Sequence, residues 1–503
     1  MAEINRRDLM LGTLALPLLG QVATAAPANS IKTENEREGT TDWQLTYTRI
    51  DPKTKSTRFG GFGGRSTMIE GYCSRQSVKP GEPIDFYVST DPASPFHIDI
   101  YRLGYYQGKG GRPLQKLGPF EGEVQPTPEV GKERIRECLW KKCTTFEIPK
   151  DWVSGVYLGK LSATKHRYES YVIFIVKDDR PADFLFQVSD NTWQAYNAWP
   201  DNYSLYINDR EDKKPHVSGV NASFDRPYAR YTQILDFPQS QGSGEFLLWE
   251  FPLAFWMEQH GYDVSYIANV DVHANPKELL RAKAFLSVGH DEYWSREQFD
   301  HAMAAVKAGV NMCFLSGNSV CLVTPFSPSS SSQANRTITR AGRYGGVRPG
   351  EEKWFADLTI LDAPNEALLM GAQTVTPFNG SGDWTVTKPE HWMFEGTKMK
   401  KGDKIPGLVG WEFHGSPADI PGLEVVAAGK TWTGADVESH YTATIYPGPK
   451  KNFVFNAATI FWAQGLSAPP GHVPPISHHG RPHGPDERVQ RITQNLFDRI
   501  KAG

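Results

Sequence analysis

A change of hydrophobic period near residue 180 limits the folds that this chain can adopt. Before it, apolar and polar residues alternate, as at Ile84, Phe86 and Val88, which is the pattern of strands with one buried face. Turns that contain glycine or proline separate these runs. We therefore predict that residues 27–179 form a β-sandwich.

After residue 180 the apolar residues fall in short runs, separated by stretches with helical spacing. Between two of these runs, Ser295 is a good helix N-cap, Gln298 stands three residues later, and Gly309 ends the helix. Strands that alternate with helices are typical of an α/β domain. We predict for residues 180–503 a mostly parallel sheet of the glutamine amidotransferase-like or flavodoxin-like class, ending in a Pro/His-rich segment. The predicted strands lie at 184–188, 264–267, 284–288, 311–315 and 453–455.

Composition excludes some classes of partner. Lys and Arg (54) nearly balance Asp and Glu (57), and no basic block interleaves with aromatic residues, so we expect no nucleic-acid partner. Beyond the N-terminus no apolar run approaches the ~20 residues that a spanning helix needs, so we expect no membrane span in the mature chain.

The first 26 residues have the pattern of a targeting signal. Arg6 and Arg7 precede an apolar stretch at 9–19, and small residues at 23–25 suit a cleavage site. Paired arginines favour a twin-arginine export signal, with an ordinary secretory signal or a lipid-facing anchor as alternatives. We expect an exported protein that is periplasmic or extracellular.

Five cysteines are an odd number, so at least one stays unpaired. Cys138 and Cys143 are the best candidates for a disulfide because their short spacing suits a hairpin. Cys313 lies inside an apolar run, which favours a buried small side chain over a nucleophile.

The segment from Gly289 to Ser295 carries the densest group of chemically active side chains. His290, Asp291 and Glu292 follow a predicted buried strand and precede a capped helix. Acidic residues near a helix start can simply complement its dipole, but that interpretation does not explain the histidine. The next predicted strand ends just before Asn318. Because ligands of parallel sheets bind beyond the carboxyl ends of the strands, we expect Asn318 to face the same crevice.

Two upstream segments, 191–197 and 223–228, are rich in aromatic residues. Aromatic clusters of this kind also occur in cores and on surfaces that stack against sugars. Composition does not choose between these interpretations.

These segments together resemble the large (beta) subunit of the N,N-dimethylformamidase family. The resemblance covers roughly residues 62–462 and depends on the order and number of the matching sequence motifs. These motifs are Glu70-Gly71-Tyr72, Tyr101-Arg102-Leu103-Gly104-Tyr105-Tyr106, the segments 193–197, 224–228 and 289–295, and Gly410-Trp411-Glu412.

The resemblance implies a mononuclear iron, Fe³⁺, bound by two tyrosines and one glutamate. Glu292 is the glutamate of the intact His-Asp-Glu-Tyr-Trp-Ser phrase, and we assign the tyrosine ligands to Tyr196 and Tyr228. Phenolate and carboxylate are hard anionic donors, which suit a ferric ion. Nearby rivals for the tyrosine positions are Tyr203, Tyr206 and Tyr231.

The resemblance also implies hydrolysis of small amides, with water attacking a metal-polarised carbonyl carbon. His290 or Glu412 would then take the proton of the water and return one to the leaving amine. Asn318 would donate to the developing oxyanion. Dimethylformamide is only one candidate substrate, and a small subunit or a homo-oligomer is the expected assembly.

Two other functions stay open. A metal-independent cysteine hydrolase needs its nucleophile in a glycine-flanked turn between strand and helix, and Cys313 lacks those flanks. An exported, non-enzymatic protein that binds a carbohydrate or surface ligand is compatible with the 14 tryptophans. The cluster at 290–292 argues against that alternative.

Overall fold

The computed structural model describes most of the chain, and the predicted export signal at residues 1–26 lies outside the described part. Tyr231 and part of the Pro/His-rich segment also lie outside it. No helix in the described part is long and apolar enough to cross a membrane. The described residues are 30–48, 64–200, 203–206, 221–230, 240–352, 355, 358–434, 436–475 and 484–503.

The N-terminal region contains two sheets that share one core. A five-stranded sheet has the order β2-β8-β7-β4-β5, and a three-stranded sheet has the order β1-β3-β6. The strands are β1 (Glu70–Cys73), β2 (Ser77–Val78), β3 (Pro83–Ser89), β4 (Phe96–Leu103), β5 (Gly111–Phe120), β6 (Thr144–Glu147), β7 (Gly155–Ala163) and β8 (Tyr168–Val176).

Alternating apolar residues form the core between these two sheets. Ile84, Phe86 and Val88 of β3 are buried against Phe174 and Val176 of β8 in one cluster. The alternation predicted for β3 is therefore confirmed. The division of the chain at residues 179 and 180 into two domains stays a prediction.

The rest of the chain is organised around one nine-stranded sheet, with the order β11-β9-β12-β14-β23-β22-β21-β19-β20. Two small sheets, β10-β17-β16 and β13-β15-β18, flank it. The strands are β9 (Ala182–Val188), β10 (Asn221–Ser223), β11 (Val264–Ala268), β12 (Ala282–Gly289), β13 (Tyr293–Trp294), β14 (Asn311–Ser316), β15 (Leu322–Val323), β16 (Phe326–Ser327), β17 (Thr337–Thr339), β18 (Gly342–Arg343), β19 (Ala372–Thr385), β20 (Lys404–Pro417), β21 (Glu424–Trp432), β22 (Glu438–Pro447) and β23 (Phe453–Asn456).

The helices are few and mostly short. In the described part only α4, α6 and α8 have nine residues or more. They are α1 (Ser30–Asn35), α2 (Asp190–Tyr196), α3 (Phe246–Trp249), α4 (Phe251–Gln259), α5 (Asn269–Ala274), α6 (Arg296–Ala308), α7 (Ala367–Met370) and α8 (Glu487–Ala502), with 3-10 turns at Tyr106–Gly108, Lys132–Arg134, Glu278–Arg281, Trp392–Phe394 and Ile460–Gly465.

The predicted fold class, an α/β domain with a mostly parallel, flavodoxin-like sheet, is wrong. The five predicted strands exist and are parallel to one another, from β11 to β23. Four long antiparallel strands, β19 to β22, continue the same sheet, which is therefore mixed. The chain contains large mixed sheets and few helices because the region 372–447 forms hairpins where a doubly wound fold would add helical crossovers.

Local signals around α6 are confirmed. Ser295 accepts a hydrogen bond from the backbone N–H of Gln298, and the Gln298 side chain returns one, which forms a capping box. Gly309 ends the helix in the left-handed conformation at φ 105°. The helix joins β12 to its parallel neighbour β14, as the sequence predicts.

Strand β20, at one end of the sheet order, lies next to the turn that follows β14. Phe413 of β20 forms an isolated antiparallel bridge with Thr459, which follows β23. A Cβ atom added at Gly317 would lie 2.2 Å from the backbone oxygen of Glu412, so the turn after β14 touches β20 directly. The large sheet is therefore curved, so that residues of β20 contact the segments that follow β14 and β23.

A buried ion pair fastens the N-terminal region to α4. Arg102 of β4 donates to both carboxylate oxygens of Glu258, at 2.9 and 2.8 Å, and neither side chain is exposed. The Asn35 and Tyr266 side chains donate to the same carboxylate. Such pairing satisfies two charges that would be costly to bury separately.

All five cysteines lie in the described part and all are free thiols, so the predicted Cys138–Cys143 disulfide is wrong. The two side chains pack in different hydrophobic clusters. Cys138 lies with Trp140 and Trp199, whereas Cys143 packs against the core between the N-terminal sheets. Cys313 is fully buried in β14, as predicted.

Candidate active site

The candidate site lies at the carboxyl ends of β12 and β14. Gly289 and Ser316 are register partners at the ends of these parallel strands, so the segments that follow them leave the sheet side by side. His290 and Asn318 stand in these segments, and both are about 1% exposed. The sheet thus places two chemically active side chains at one edge.

Two glycines make this arrangement possible. Gly289 has φ +67°, and a Cβ there would lie 2.7 Å from the Cβ of Trp249. A Cβ atom at Gly317 would lie 2.2 Å from the backbone oxygen of Glu412, which is too close for any side chain. Each turn therefore requires glycine, and together they bring β12, β14 and β20 within side-chain reach.

His290 lies between two glutamates. Its Nε2 atom is 2.7 Å from Glu412 Oε2 and 3.3 Å from Glu292 Oε2. Burial opposes the imidazolium form, but the carboxylates of Glu412 and Glu292 outweigh burial and raise the pKa of His290 well above its usual value. Burial also raises the pKa of Glu412, against the opposing effect of His290. The protons of such a pair titrate in steps that belong to the pair and not to either residue alone.

Asn318 orients the Glu412 carboxylate. Its Nδ2 atom donates to Glu412 Oε2 at 3.0 Å, and its Oδ1 atom accepts from the Thr374 hydroxyl at 2.9 Å. The side chain predicted to face an oxyanion is therefore bonded to the glutamate that pairs with His290.

A group of tyrosines also adjoins the Glu292 carboxylate. The Tyr196 hydroxyl donates to Glu292 Oε2 at 2.8 Å, and the Tyr206 hydroxyl lies 3.2 Å from Oε1 and 2.9 Å from the Tyr196 oxygen. Tyr293 donates to Tyr206. Burial, and then the Glu292 carboxylate, raise the pKa of both Tyr196 and Tyr206 well above the usual range.

Tyr228, the second tyrosine assigned from the sequence, lies elsewhere. Its ring contacts Trp193 edge-on at 6.2 Å. Burial, and then the charge of Asp190, raise the pKa of its hydroxyl. Among the rival tyrosines, Tyr203 packs beneath Arg134 and Arg136. The structure thus brings together Tyr196, Tyr206, His290, Glu292, Asn318 and Glu412, and places Tyr228 outside this group.

Asp291 faces away from the tyrosines and from Glu412. Its carboxylate accepts hydrogen bonds from Gln187, Ser287 and Asn269, at 2.8, 2.9 and 3.1 Å. Burial raises its pKa to about 6. Of the two adjacent acids, only Glu292 belongs to the candidate site.

Arg226 fixes the segment that carries Tyr196. Its fully buried guanidinium donates to the backbone oxygens of Trp199, Tyr203 and Asn197, at 2.7, 3.1 and 3.1 Å. It also donates to the Gln194 side chain. Burial lowers its pKa to about 9. All of these bonds go to uncharged oxygens, so this cation organises the chain rather than pairing with an acid.

The buried donors fit a metal ion. The Nε2 atom of His290 and carboxylate oxygens of Glu292 and Glu412 all lie within 4.8 Å of one another. The oxygens of Tyr196, Tyr206 and Glu292 stand about as far apart as ligands held roughly 2 Å from one small cation. A cation among them would stabilise phenolate, which burial beside a carboxylate otherwise disfavours.

Comparison with protein families identifies the chain. A family model described as N,N-dimethylformamidase beta subunit-like, C-terminal, matches residues 97–477, which is more than half of the chain. The chain belongs to this family. The resemblance predicted from the sequence is thereby confirmed, and the family's description names one subunit of an enzyme with more than one kind of subunit.

Other comparisons add little. No curated protein matches this dimethylformamidase-like chain. Among solved structures, a superoxide reductase (neelaredoxin) from Ignicoccus hospitalis T24K is similar over 22% of this chain and 82% of its own, with 15% identity and a TM-score of 0.13. That likeness carries no argument about fold or function.

In this member of the dimethylformamidase-like family, several residues around the site could not be identified from the sequence. Tyr206 was named only as an alternative metal ligand, and Tyr293, in the segment 289–295, was given no function. Nothing in the sequence indicated that Thr374 and His414, in the paired strands β19 and β20, belong to the site, because single polar residues are common in strands. The short spacing of Tyr196 and Tyr206, ten residues apart around one loop, was the available clue.

Proposed function

We propose that this chain is an iron-dependent hydrolase of small linear amides. The observation that supports this most is the position of Glu292. Its carboxylate accepts from the Tyr196 hydroxyl and lies 3.2 Å from the Tyr206 hydroxyl, and its Oε2 atom is also 3.3 Å from Nε2 of His290, which pairs with Glu412. A group of hard oxygen donors thus adjoins a group that can transfer protons, in a member of the dimethylformamidase-like family.

We assign the metal ligands to Tyr196, Tyr206 and Glu292. The alternative set replaces the tyrosines with His290 and Glu412. In the structure those two side chains already form an ion pair at 2.7 Å, and Glu412 Oε2 also accepts from Asn318. Phenolate and carboxylate are the harder donors, and three anions offset a ferric charge. Tyr206 thus replaces Tyr228 as the second proposed tyrosine ligand.

In the proposed reaction a bound ferric ion supplies a Lewis acid that polarises the amide carbonyl. The His290–Glu412 pair takes one proton from the water that attacks the carbonyl carbon. It then returns a proton to the nitrogen of the leaving amine. Asn318 holds the Glu412 carboxylate toward His290 during both transfers. The products are a carboxylic acid and an amine.

Metal content and amine release test this proposal. Protein purified from iron-replete medium is expected to hold about one iron per chain, without stoichiometric zinc, because the ligands are hard oxygen donors. It is expected to absorb visible light by phenolate-to-iron charge transfer and to release amine from small formamides or acetamides. Chelation of the metal is expected to abolish both signals. Protein that contains only zinc, or no metal, would contradict the proposal.

A pair of tyrosine variants tests the ligand assignment. In Tyr206→Phe, loss of one phenolate donor is expected to weaken iron binding by about tenfold or more and to reduce the visible band. Tyr228→Phe is the matched control, because it removes the same hydroxyl outside the group, and is expected to keep iron and colour. Loss of colour in Tyr228→Phe with retention in Tyr206→Phe would reverse the assignment.

A further inference from the structure

A chain of hydrogen bonds links Thr374 to the proton-transferring pair. The Thr374 hydroxyl donates to Asn318 Oδ1 at 2.9 Å, and Asn318 Nδ2 donates to Glu412 Oε2 at 3.0 Å. The same Oε2 atom lies 2.7 Å from His290 Nε2. All four residues are at most 3% exposed. Water therefore does not compete for these bonds.

The orientation of the Asn318 amide decides what Glu412 meets. An asparagine presents an acceptor oxygen at one end and a donor NH₂ group at the other. The reverse orientation would set the amide oxygen against a carboxylate oxygen of Glu412. The Glu412 carboxylate only accepts hydrogen bonds, so it selects the orientation that presents the NH₂ group, and the Thr374 hydroxyl stabilises this orientation by donating to the amide oxygen at the other end.

Thr374 itself is held firmly. Its backbone N–H donates to Glu366 at 3.2 Å, and its backbone oxygen accepts from Arg348. Arg348 also pairs with Glu366, and Arg343 lies 3.6 Å from the same carboxylate. A buried charge network thus fixes the strand position from which the hydroxyl reaches Asn318.

The strand opposite Thr374 holds the same loop at a second point. Thr374 of β19 is the register partner of His414 in β20, and His414 Nε2 accepts from the backbone N–H of Ser319 at 2.9 Å. Burial lowers the pKa of His414 to about 4, so its ring is neutral near pH 7. Its Nδ1 atom lies 3.0 Å from Asn456 Oδ1. The loop after β14 is therefore attached to β20 through Ser319 as well as through the Asn318 side chain.

We infer that Thr374 is a positioning residue for hydrolysis, which acts through the Asn318 amide on the Glu412–His290 pair. This inference rests on the proposed function for its effect on turnover. The orientation of Asn318 is a separate structural statement that holds whatever the substrate. The Thr374 hydroxyl bonds to Asn318, and Asn318 bonds to Glu412, so the effect of Thr374 on the Glu412–His290 pair passes through Asn318.

Two variants of Thr374 test the inference in the full-length, iron-loaded protein. Thr374→Val keeps the shape of the side chain but removes the hydroxyl, and Thr374→Ser restores a hydroxyl with one methyl fewer. In Thr374→Val, kcat for amine release is expected to fall by about tenfold with KM unchanged, since a buried acceptor loses its partner. In Thr374→Ser, kcat is expected to return to within about threefold of wild type. Iron content and the visible band are expected to stay unchanged in both.

A second measurement does not depend on turnover. With selective ¹⁵N-asparagine labelling, the Asn318 side-chain amide signals are assigned by their absence from Asn318→Asp. These signals are expected to shift and to exchange faster in Thr374→Val, and to return in Thr374→Ser. If wild-type protein hydrolysed no amide, the proposed function would fail, while the amide signals would still decide the role of Thr374. Unchanged amide signals in Thr374→Val, a wild-type kcat, or loss of iron would each overturn the inference.

Discussion

Glu292→Gln is expected to lose both iron and amide hydrolysis. The substitution keeps the size of the side chain but replaces an anionic donor with a neutral amide. In the wild type, Glu292 oxygens lie 2.8 Å from the Tyr196 hydroxyl and 3.2 Å from the Tyr206 hydroxyl. Without the carboxylate, only the two phenols remain to offset the charge of the ion, so we expect iron in elemental analysis to fall to the background level.

Glu412→Gln is the matched control for this loss. It removes a carboxylate from the same buried cluster, but one bonded to His290 and Asn318 and not to a tyrosine. We expect this variant to retain iron and colour while amine release falls. Retention of a full complement of iron by Glu292→Gln would remove Glu292 from the ligand set and with it the proposed centre.

His290→Ala is expected to separate chemistry from metal binding. The substitution removes one member of the proton-transferring pair and leaves the oxygens of Tyr196, Tyr206 and Glu292 in place. Amine release is expected to fall by roughly 10²–10⁴-fold, the usual contribution of a positioned acid or base. Iron content and the visible band are expected to persist, and both are measured on the same preparation as the kinetics.

The alternative ligand set predicts the opposite result. If His290, Glu292 and Glu412 held the ion, His290→Ala and Glu412→Gln would both lose metal, and Tyr206→Phe would not. The cluster geometry alone admits either set, because the three His and Glu donor atoms lie within 4.8 Å of one another. The pattern of iron loss across the variants therefore distinguishes the two assignments.

Half of the large sheet could be predicted from the sequence, and the reason is local. The strands from β9 to β14 are short apolar runs beside helices with clear start and stop signals, such as Ser295 and Gly309. The strands from β19 to β22 lack a regular period. β19 contains Pro377, Gly380 and several half-buried positions in succession, so its apolar residues do not alternate. For that reason the sequence pattern did not indicate that the sheet is mixed.

Part of the candidate site could likewise be predicted from the sequence, and part of it could not. The side chains of 290–292 and Asn318 follow strands that the sequence indicates, so their shared edge could be predicted. The second tyrosine could not, because Tyr206 and Tyr228 both stand in segments without periodicity. Which of the two reaches Glu292 depends on the path of a loop that Arg226 holds through backbone oxygens, and no residue pattern encodes such bonds.

The curvature that brings β20 back to the turn after β14 has a consequence for folding. Asn318 and Glu412 are 94 residues apart in the chain, yet their side chains are hydrogen-bonded. Contacts of such high sequence separation carry a large loop-closure cost and form late in folding. A partly synthesised chain that ends before β20 lacks Glu412 and cannot form the His290–Glu412 pair. The His290–Glu412 pair therefore forms only when β20 has taken its place beside the turn after β14.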